Sequence, residues 1–268
     1  MKMRVGIVAR PDLPGAVKLT RRLLKILSKE DVVLERELAV KLRRRGAQVR
    51  AMQTNAIITI GGDGTVLFAH QQAPDVPVLG INMGGTGFLA DVAPGDAPKA
   101  VRKLAAGQLP MVERERLVVK AAGKRLPDAL NEAAISSAIL GKSLAFKVLV
   151  DGEAAMCTQG DGVIIATPTG STAYALAAGG PVVDPRVDAF AIVPVCAARP
   201  RVSPLVVPMA SKIVVKLTRP NRRASVLIDG QRVAEVGSDD ELLLHRSEKP
   251  AKFFKWRGEF YQKVREKL

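Results

Sequence analysis

A chain of 268 residues with 47% hydrophobic side chains is long enough for one large domain or two ordinary ones and can bury a core. No apolar run approaches the roughly 18–20 residues that a membrane span needs, and residues 1–10 begin a strand pattern rather than a secretory leader, so the chain reads as cytosolic, with no membrane partner. The formal net charge of +15 admits nucleic acid, an anionic substrate or plain solubility. Its local excess, eleven Lys/Arg against four Asp/Glu in residues 15–50, rides on amphipathic helical patterns without interleaved aromatics, which favours solvated helix faces over a nucleic-acid partner.

Residues 3–9 (MRVGIVA) predict a buried strand, 16–28 a helix and 32–35 a short strand. Residues 36–45 read as a helix, with Gly46 in the left-handed position that closes many helices. The runs 56–60 (AIITI) and 76–82 (VPVLGIN) have the continuous apolar, β-branched character of central parallel strands. Strands alternating with helices predict a doubly wound α/β unit over residues 1–93. Residues 94–106 carry one helix. The text then becomes strands and turns, with Asp151-Gly152 and Asp229-Gly230 placed as hairpin turns, so 94–246 reads as an antiparallel β-rich domain. Residues 253–268 turn helical and basic, and a last segment, 247–268, is expected to leave the β domain.

Cys157 and Cys196 join no ligand cluster, and His70 and His245 accompany neither a hydrolase serine motif nor a zinc motif. No residue is assigned as a metal ligand. The chemistry concentrates in glycine-rich turns. Gly61, Gly62, Asp63, Gly64 and Thr65 follow the AIITI strand and precede a helix-compatible run. Glycines there let backbone approach a phosphate, and a helix N-terminus favours anions. A carboxylate beside a phosphate site repels it unless it accepts a hydroxyl proton or holds magnesium, which makes Asp63 the catalytic candidate. A second glycine-rich loop, residues 80–89 (GINMGGTGFL), follows the next strand. The two loops should meet along the carboxyl edge of one sheet, where open α/β folds bind ligands. A third segment, 160–174 (GDGVIIATPTGSTAY), ends a strand in hydroxyls suited to a base edge or sugar, or to capping a helix through Ser171 or Thr172. The adjacent Asn131 and Glu132 can bind vicinal ribose hydroxyls.

In this order, GGDGT, GINMGGTGFL, NE and GDGVIIATPTGSTAYALAAGGPVVDP resemble the NAD kinase family over most of the chain. The GGDG element is shared with lipid and sugar kinases, whereas the TPTGSTAY segment is highly specific. The resemblance implies a Rossmann-like α/β domain, a β-sandwich-like C-terminal domain and a C-terminal segment that returns to the first. It implies NAD and ATP, or another triphosphate or polyphosphate, as substrates, with Mg2+ carried by the nucleotide phosphates. It also implies a homodimer or homotetramer. Asp63 corresponds to the catalytic aspartate. Gly61, Gly62, Gly64, Thr65, Phe88, Leu89, Asn131, Glu132, Asp161, Thr169, Thr172, Ala173, Tyr174 and Ala177 fall at nucleotide-binding positions. Asp161 is implied to reach the dinucleotide across a subunit interface. Ala177 stands where many members carry serine, and Gly85-Thr86 departs from the usual loop. A lipid or sugar kinase and a non-catalytic dinucleotide sensor are the competing readings.

Overall fold

The computed structural model describes residues 2–85, 87–139, 141–256 and 260–268. Thr86, part of the second glycine-rich loop, lies outside the described residues. The chain divides into two compact units, 1–113 with 251–268, and 114–250.

The first unit is built on strands β1 (Arg4–Ala9), β2 (Asp31–Glu35), β3 (Gly46–Ala47), β4 (Ala56–Gly61), β5 (Val78–Asn82) and β6 (Met111–Arg114). Helices α1 (Pro14–Ile26), α2 (Arg36–Lys41), α3 (Asp63–Gln72) and α4 (Ala97–Ala105) connect them. The sheet runs β3-β2-β1-β4-β5, then the strand Ala251–Phe254, then β6. Pairs from β3 through β5 are parallel. All six residues of β4 are buried, the pattern of a strand covered on both faces. Because β1 pairs with β2 on one side and β4 on the other, the strand order reverses there, the position at which such sheets bind ligands.

The domain boundary falls after residue 113 rather than 93, because α4 belongs to this core. Ala97, Ala100, Val101 and Leu104 pack with Val5, Ile7 and Leu23 in one cluster. The C-terminal segment begins at 251 and opens as a strand, not a helix. Phe253 pairs with Val78 of β5, and Ala251 and Phe253 alternate inward with period two. Helix α6 starts only at Phe260, with 257–259 outside the described residues. Gly46 does not close α2. Arg43 takes the left-handed conformation (φ 54°), and Gly46 lies in β3, where a Cβ would stand 2.5 Å from Ala39 Cβ. That glycine serves close packing.

The second unit is two six-stranded antiparallel sheets, built from β7 (Leu117–Ala121), β8 (Lys124–Arg125), β9 (Glu132–Ser137), β10 (Leu144–Val150), β11 (Glu153–Gly160), β12 (Gly162–Ala166), β13 (Ala189–Val195), β14 (Leu205–Pro208), β15 (Ile213–Leu217), β16 (Arg223–Ile228), β17 (Gln231–Gly237) and β18 (Glu241–Arg246). Strand Ala251–Phe254 is then β19. One sheet runs β11-β10-β15-β18-β7-β8 and the other β14-β13-β12-β9-β16-β17. Leu117, Phe146, Val215 and Leu242 of the first pack with Ile135, Val163, Phe190 and Val226 of the second, a sandwich core. The hairpins β10–β11 and β16–β17 turn at Asp151-Gly152 and Asp229-Gly230, all four residues with positive φ, as two-residue turns of this hand require.

Candidate active site

In the first unit the two glycine-rich loops meet. Met83 N–H donates to Gly61 O at 2.7 Å, joining the turn after β5 to the end of β4. Asp63, the first residue of α3, is the centre of the constellation. Its carboxylate accepts the backbone N–H groups of Phe88 (2.6 Å), Leu89 (3.0 Å) and Ala90 (3.0 Å). Gly87 is required beside it, since a Cβ there would lie 2.6 Å from Asp63 Oδ1. Phe88 and Leu89 therefore act at this centre through their amides.

The glycines of the first loop divide by what surrounds them. A Cβ on Gly61 would stand 2.1 Å from Thr65 Oγ1, so Gly61 admits the buried Thr65 behind the loop. A Cβ on Gly62 or Gly64 would meet nothing within 4 Å, and neither residue has positive φ. The fold does not require glycine at those two positions; they keep an open surface at the N-terminal turn of α3. Backbone N–H groups at such a turn have no partner inside the helix and face an anion favourably.

In the second unit the structure brings Asn131, Glu132 and the 167–172 turn together. Glu132 pairs with Ala166 across β9 and β12, so both motifs sit at one end of adjacent strands. Thr167 N–H donates to Asn131 O at 2.9 Å, and Thr167 Oγ1 donates to Leu130 O at 2.6 Å. Gly170 is dictated by this approach, because a Cβ would fall 2.0 Å from Asn131 O. Ser171 and Thr172 do not cap a helix. Ser171 Oγ donates to Pro168 O (2.7 Å) and accepts Val183 N–H (2.9 Å), pinning the turn to the 183 segment, and Thr172 Oγ1 donates to Thr169 O. Their hydroxyls find these partners because the short helix Tyr174–Ala177 (α5) starts only after Ala173. Thr169 is buried, Thr172 and Ala173 are half-buried, and Tyr174 and Ala177 are exposed.

Asp229 was read from the sequence as a turn residue only. Its buried carboxylate accepts the N–H groups of Leu130 (3.0 Å), Asn131 (2.7 Å) and Glu132 (3.2 Å). It holds the Asn-Glu pair as Asp63 holds residues 88–90. The signal available was its place after the apolar run of β16, on the strand that pairs with β9. Glu132 is 5% exposed, and its Oε2 finds no hydrogen-bond partner among the described residues. Burial first, and the Asp229 charge second, raise its carboxyl from 4.5 to about 7. A carboxyl raised in the folded state keeps its proton there after the unfolded chain has lost it. Its contribution to stability is thus full below about pH 4.5 and is lost as the pH rises through about 7. The loss amounts to about 3 kcal/mol. Glu132→Gln should flatten that fall in urea unfolding measured from pH 4.5 to 8; an unchanged slope would assign it to other groups.

Asp161 is not brought to this cluster. It precedes β12, whereas Thr167 follows it, which separates the two by roughly 20 Å at about 3.3 Å per residue. It is exposed, and the Cys196 thiol hydrogen-bonds to it, which raises that thiol.

With this geometry in view, comparison with known proteins is decisive. The ATP-NAD kinase N-terminal domain model matches residues 5–109, and the C-terminal domain model matches 130–256. The chain belongs to the ATP-NAD kinase family. An NAD kinase of Methanothermobacter thermautotrophicus is 41% identical over 273 residues, spanning 99% of this chain and 96% of that one. An NAD kinase structure from Archaeoglobus fulgidus in complex with ATP is 32% identical, with a TM-score of 0.79 over 98% of this chain and 99% of that one. Yeast NADH kinase complexed with NADH shares the fold at a TM-score of 0.90 and 21% identity, over 99% of this chain and 87% of that one. As an ATP-NAD kinase family member the chain is a phosphotransferase, and the lipid-kinase and sugar-kinase readings fall away.

Proposed function

We propose that this enzyme transfers the γ-phosphoryl group of ATP to the 2′-hydroxyl of the adenosine ribose of NAD, giving NADP. The observation that carries the reading is Asp63, fixed by three loop amides beside the open backbone of Gly62 and Gly64. The triphosphate lies against that backbone and the first turn of α3. A carboxylate offers about four lone-pair positions. Three amides leave one for the ribose hydroxyl, whose hydrogen Asp63 accepts as the hydroxyl oxygen bonds to the γ-phosphorus and the bond to the β-phosphate oxygen breaks. Positioning and charge stabilisation supply most of the rate in such a transfer. Among the described residues no three His, Cys, Asp or Glu side chains gather as a metal cage. Magnesium bound to the nucleotide phosphates, with one or two protein carboxylates, would neutralise their charge.

In the second unit Asn131 and the unsatisfied Glu132 Oε2 suit ribose hydroxyls, and the family resemblance adds Thr169, Thr172, Ala173 and Tyr174 as dinucleotide-binding positions. Ala177 brings no hydroxyl where many relatives have one. The family resemblance implies that Asp161, exposed at the far end of β12, serves the site of a neighbouring protomer, in a homodimer or homotetramer.

Gly64→Ala tests the reading without touching a charged group. Alanine is a better helix former by up to about 1 kcal/mol and meets no neighbour, so the melting temperature should hold or rise. The methyl group should nevertheless intrude on the triphosphate, lowering kcat/KM for ATP at least tenfold in an assay for NADP. Unchanged kinetics would remove the phosphates from this turn.

A further inference from the structure

We infer that Lys263 and Lys267 of the C-terminal helix are positioning residues for Asp63, acting through the second glycine-rich loop. The inference rests on the catalytic reading of Asp63. The loop after β5 returns to that strand at Val92, which bridges to Ile81. Its base is closed by Asn82 N–H to Val92 O (2.9 Å) and Val92 N–H to Gly80 O (3.1 Å). Its far part, 87–91, carries the three amides that orient the Asp63 carboxylate.

The opposite side of the same peptides is gripped by helix α6 (Phe260–Lys267). Lys263 Nζ donates to Phe88 O at 2.9 Å and lies 3.9 Å from the Asp91 carboxylate. Lys267 Nζ donates to Gly87 O and stands 5.7 Å from the centre of the Phe88 ring, within cation–π range. Residue 88 is thus held at its N–H by Asp63 and at its C=O by Lys263. The peptide joining 87 to 88 is held at its oxygen by Lys267 and at its nitrogen by Asp63. Lysines in the last turns of a helix ordinarily face their own helix's carbonyls or water. Here two of them, one turn apart, reach another segment, and the Lys263 side chain is 18% exposed. A loop backbone pulled from both faces has one position, and a donor array fixed in advance is what a reacting carboxylate requires.

The test is the full chain carrying Lys263→Met and Lys267→Met together, beside a Lys263→Arg, Lys267→Arg pair. Hydrogen exchange of peptides covering residues 84–91 should quicken at least tenfold in the methionine pair. Turnover should fall about 10- to 100-fold, with KM for NAD and ATP within twofold and the melting temperature within a few degrees. The arginine pair should restore most of both. Unchanged exchange and turnover would overturn the inference, and so would a loss confined to KM for ATP, which would make the lysines phosphate ligands. A loss accompanied by general unfolding, unrescued by arginine, would also overturn it, making them mere anchors of the tail. Exchange is read without activity, so the two ideas fail separately. An active Asp63→Asn enzyme would sink the catalytic reading, whereas an inactive one alongside normal lysine variants would sink this inference alone.

Discussion

Asp63→Asn should lower turnover by about 10²- to 10⁴-fold, the usual contribution of a positioned proton acceptor. The substitution also reaches the fold, because the carboxylate is the acceptor for three backbone N–H groups. Asparagine keeps one acceptor oxygen and turns an NH2 toward at least one of those donors. An unmet or opposed buried donor costs about 1–3 kcal/mol, so the melting temperature should fall by several degrees as well. Turnover is therefore to be compared at 25 °C, well below both melting points, with the affinity for NAD measured alongside. A variant that is folded, binds NAD and turns over within tenfold of the parent would remove Asp63 from the chemistry.

Asp229→Ala should strongly destabilise the second unit. The side chain is buried, and its loss leaves the amides of residues 130–132 without their acceptor. It also places alanine at a turn position with φ 48°, which aspartate tolerates better. Hydrogen bonds to a charged acceptor contribute about 1.5–3 kcal/mol each, so a total loss of at least about 3 kcal/mol is expected even after water enters. Urea unfolding gives the number. Affinity for NAD should fall with it, because the Asn131–Glu132 turn loses its support. The Glu132 carboxyl should move down from about 7 as the neighbouring charge disappears. Stability within 1 kcal/mol of the parent would show that those three amides do not depend on Asp229.

Much of this architecture can be read from local pattern. The AIITI and VLGIN runs have no polar face, and they form central parallel strands. The Asp-Gly pairs at 151 and 229 stand between two β runs, and they form tight turns. Meeting of the two glycine-rich loops follows from consecutive parallel strands alone. What local pattern misses is long-range. Asp229 looks like a turn residue because its partners lie almost a hundred positions earlier. Lys263 and Lys267 read only as members of a basic helical segment that returns to the first domain, because their acceptors are carbonyls about 175–180 positions away, which no composition reveals. Gly46 and Ser171 mislead in the same way. A glycine after a helix suggests a cap, yet it serves Ala39. A serine before a helix suggests a cap, yet its hydroxyl is taken by residues 168 and 183. Residues 253–254 are too few, and too close to a helical run, for their period of two to stand out.

The position of the new phosphate tests the central claim most directly. The enzyme is incubated with NAD, ATP and magnesium, and the dinucleotide product is examined by phosphorus and proton NMR. A single phosphomonoester on the 2′-oxygen of the adenosine ribose, formed at least about a hundredfold more slowly when Asp63→Asn replaces the parent, is the predicted result. A phosphate on the 3′-oxygen or on the nicotinamide ribose, or no transfer at all, would contradict it.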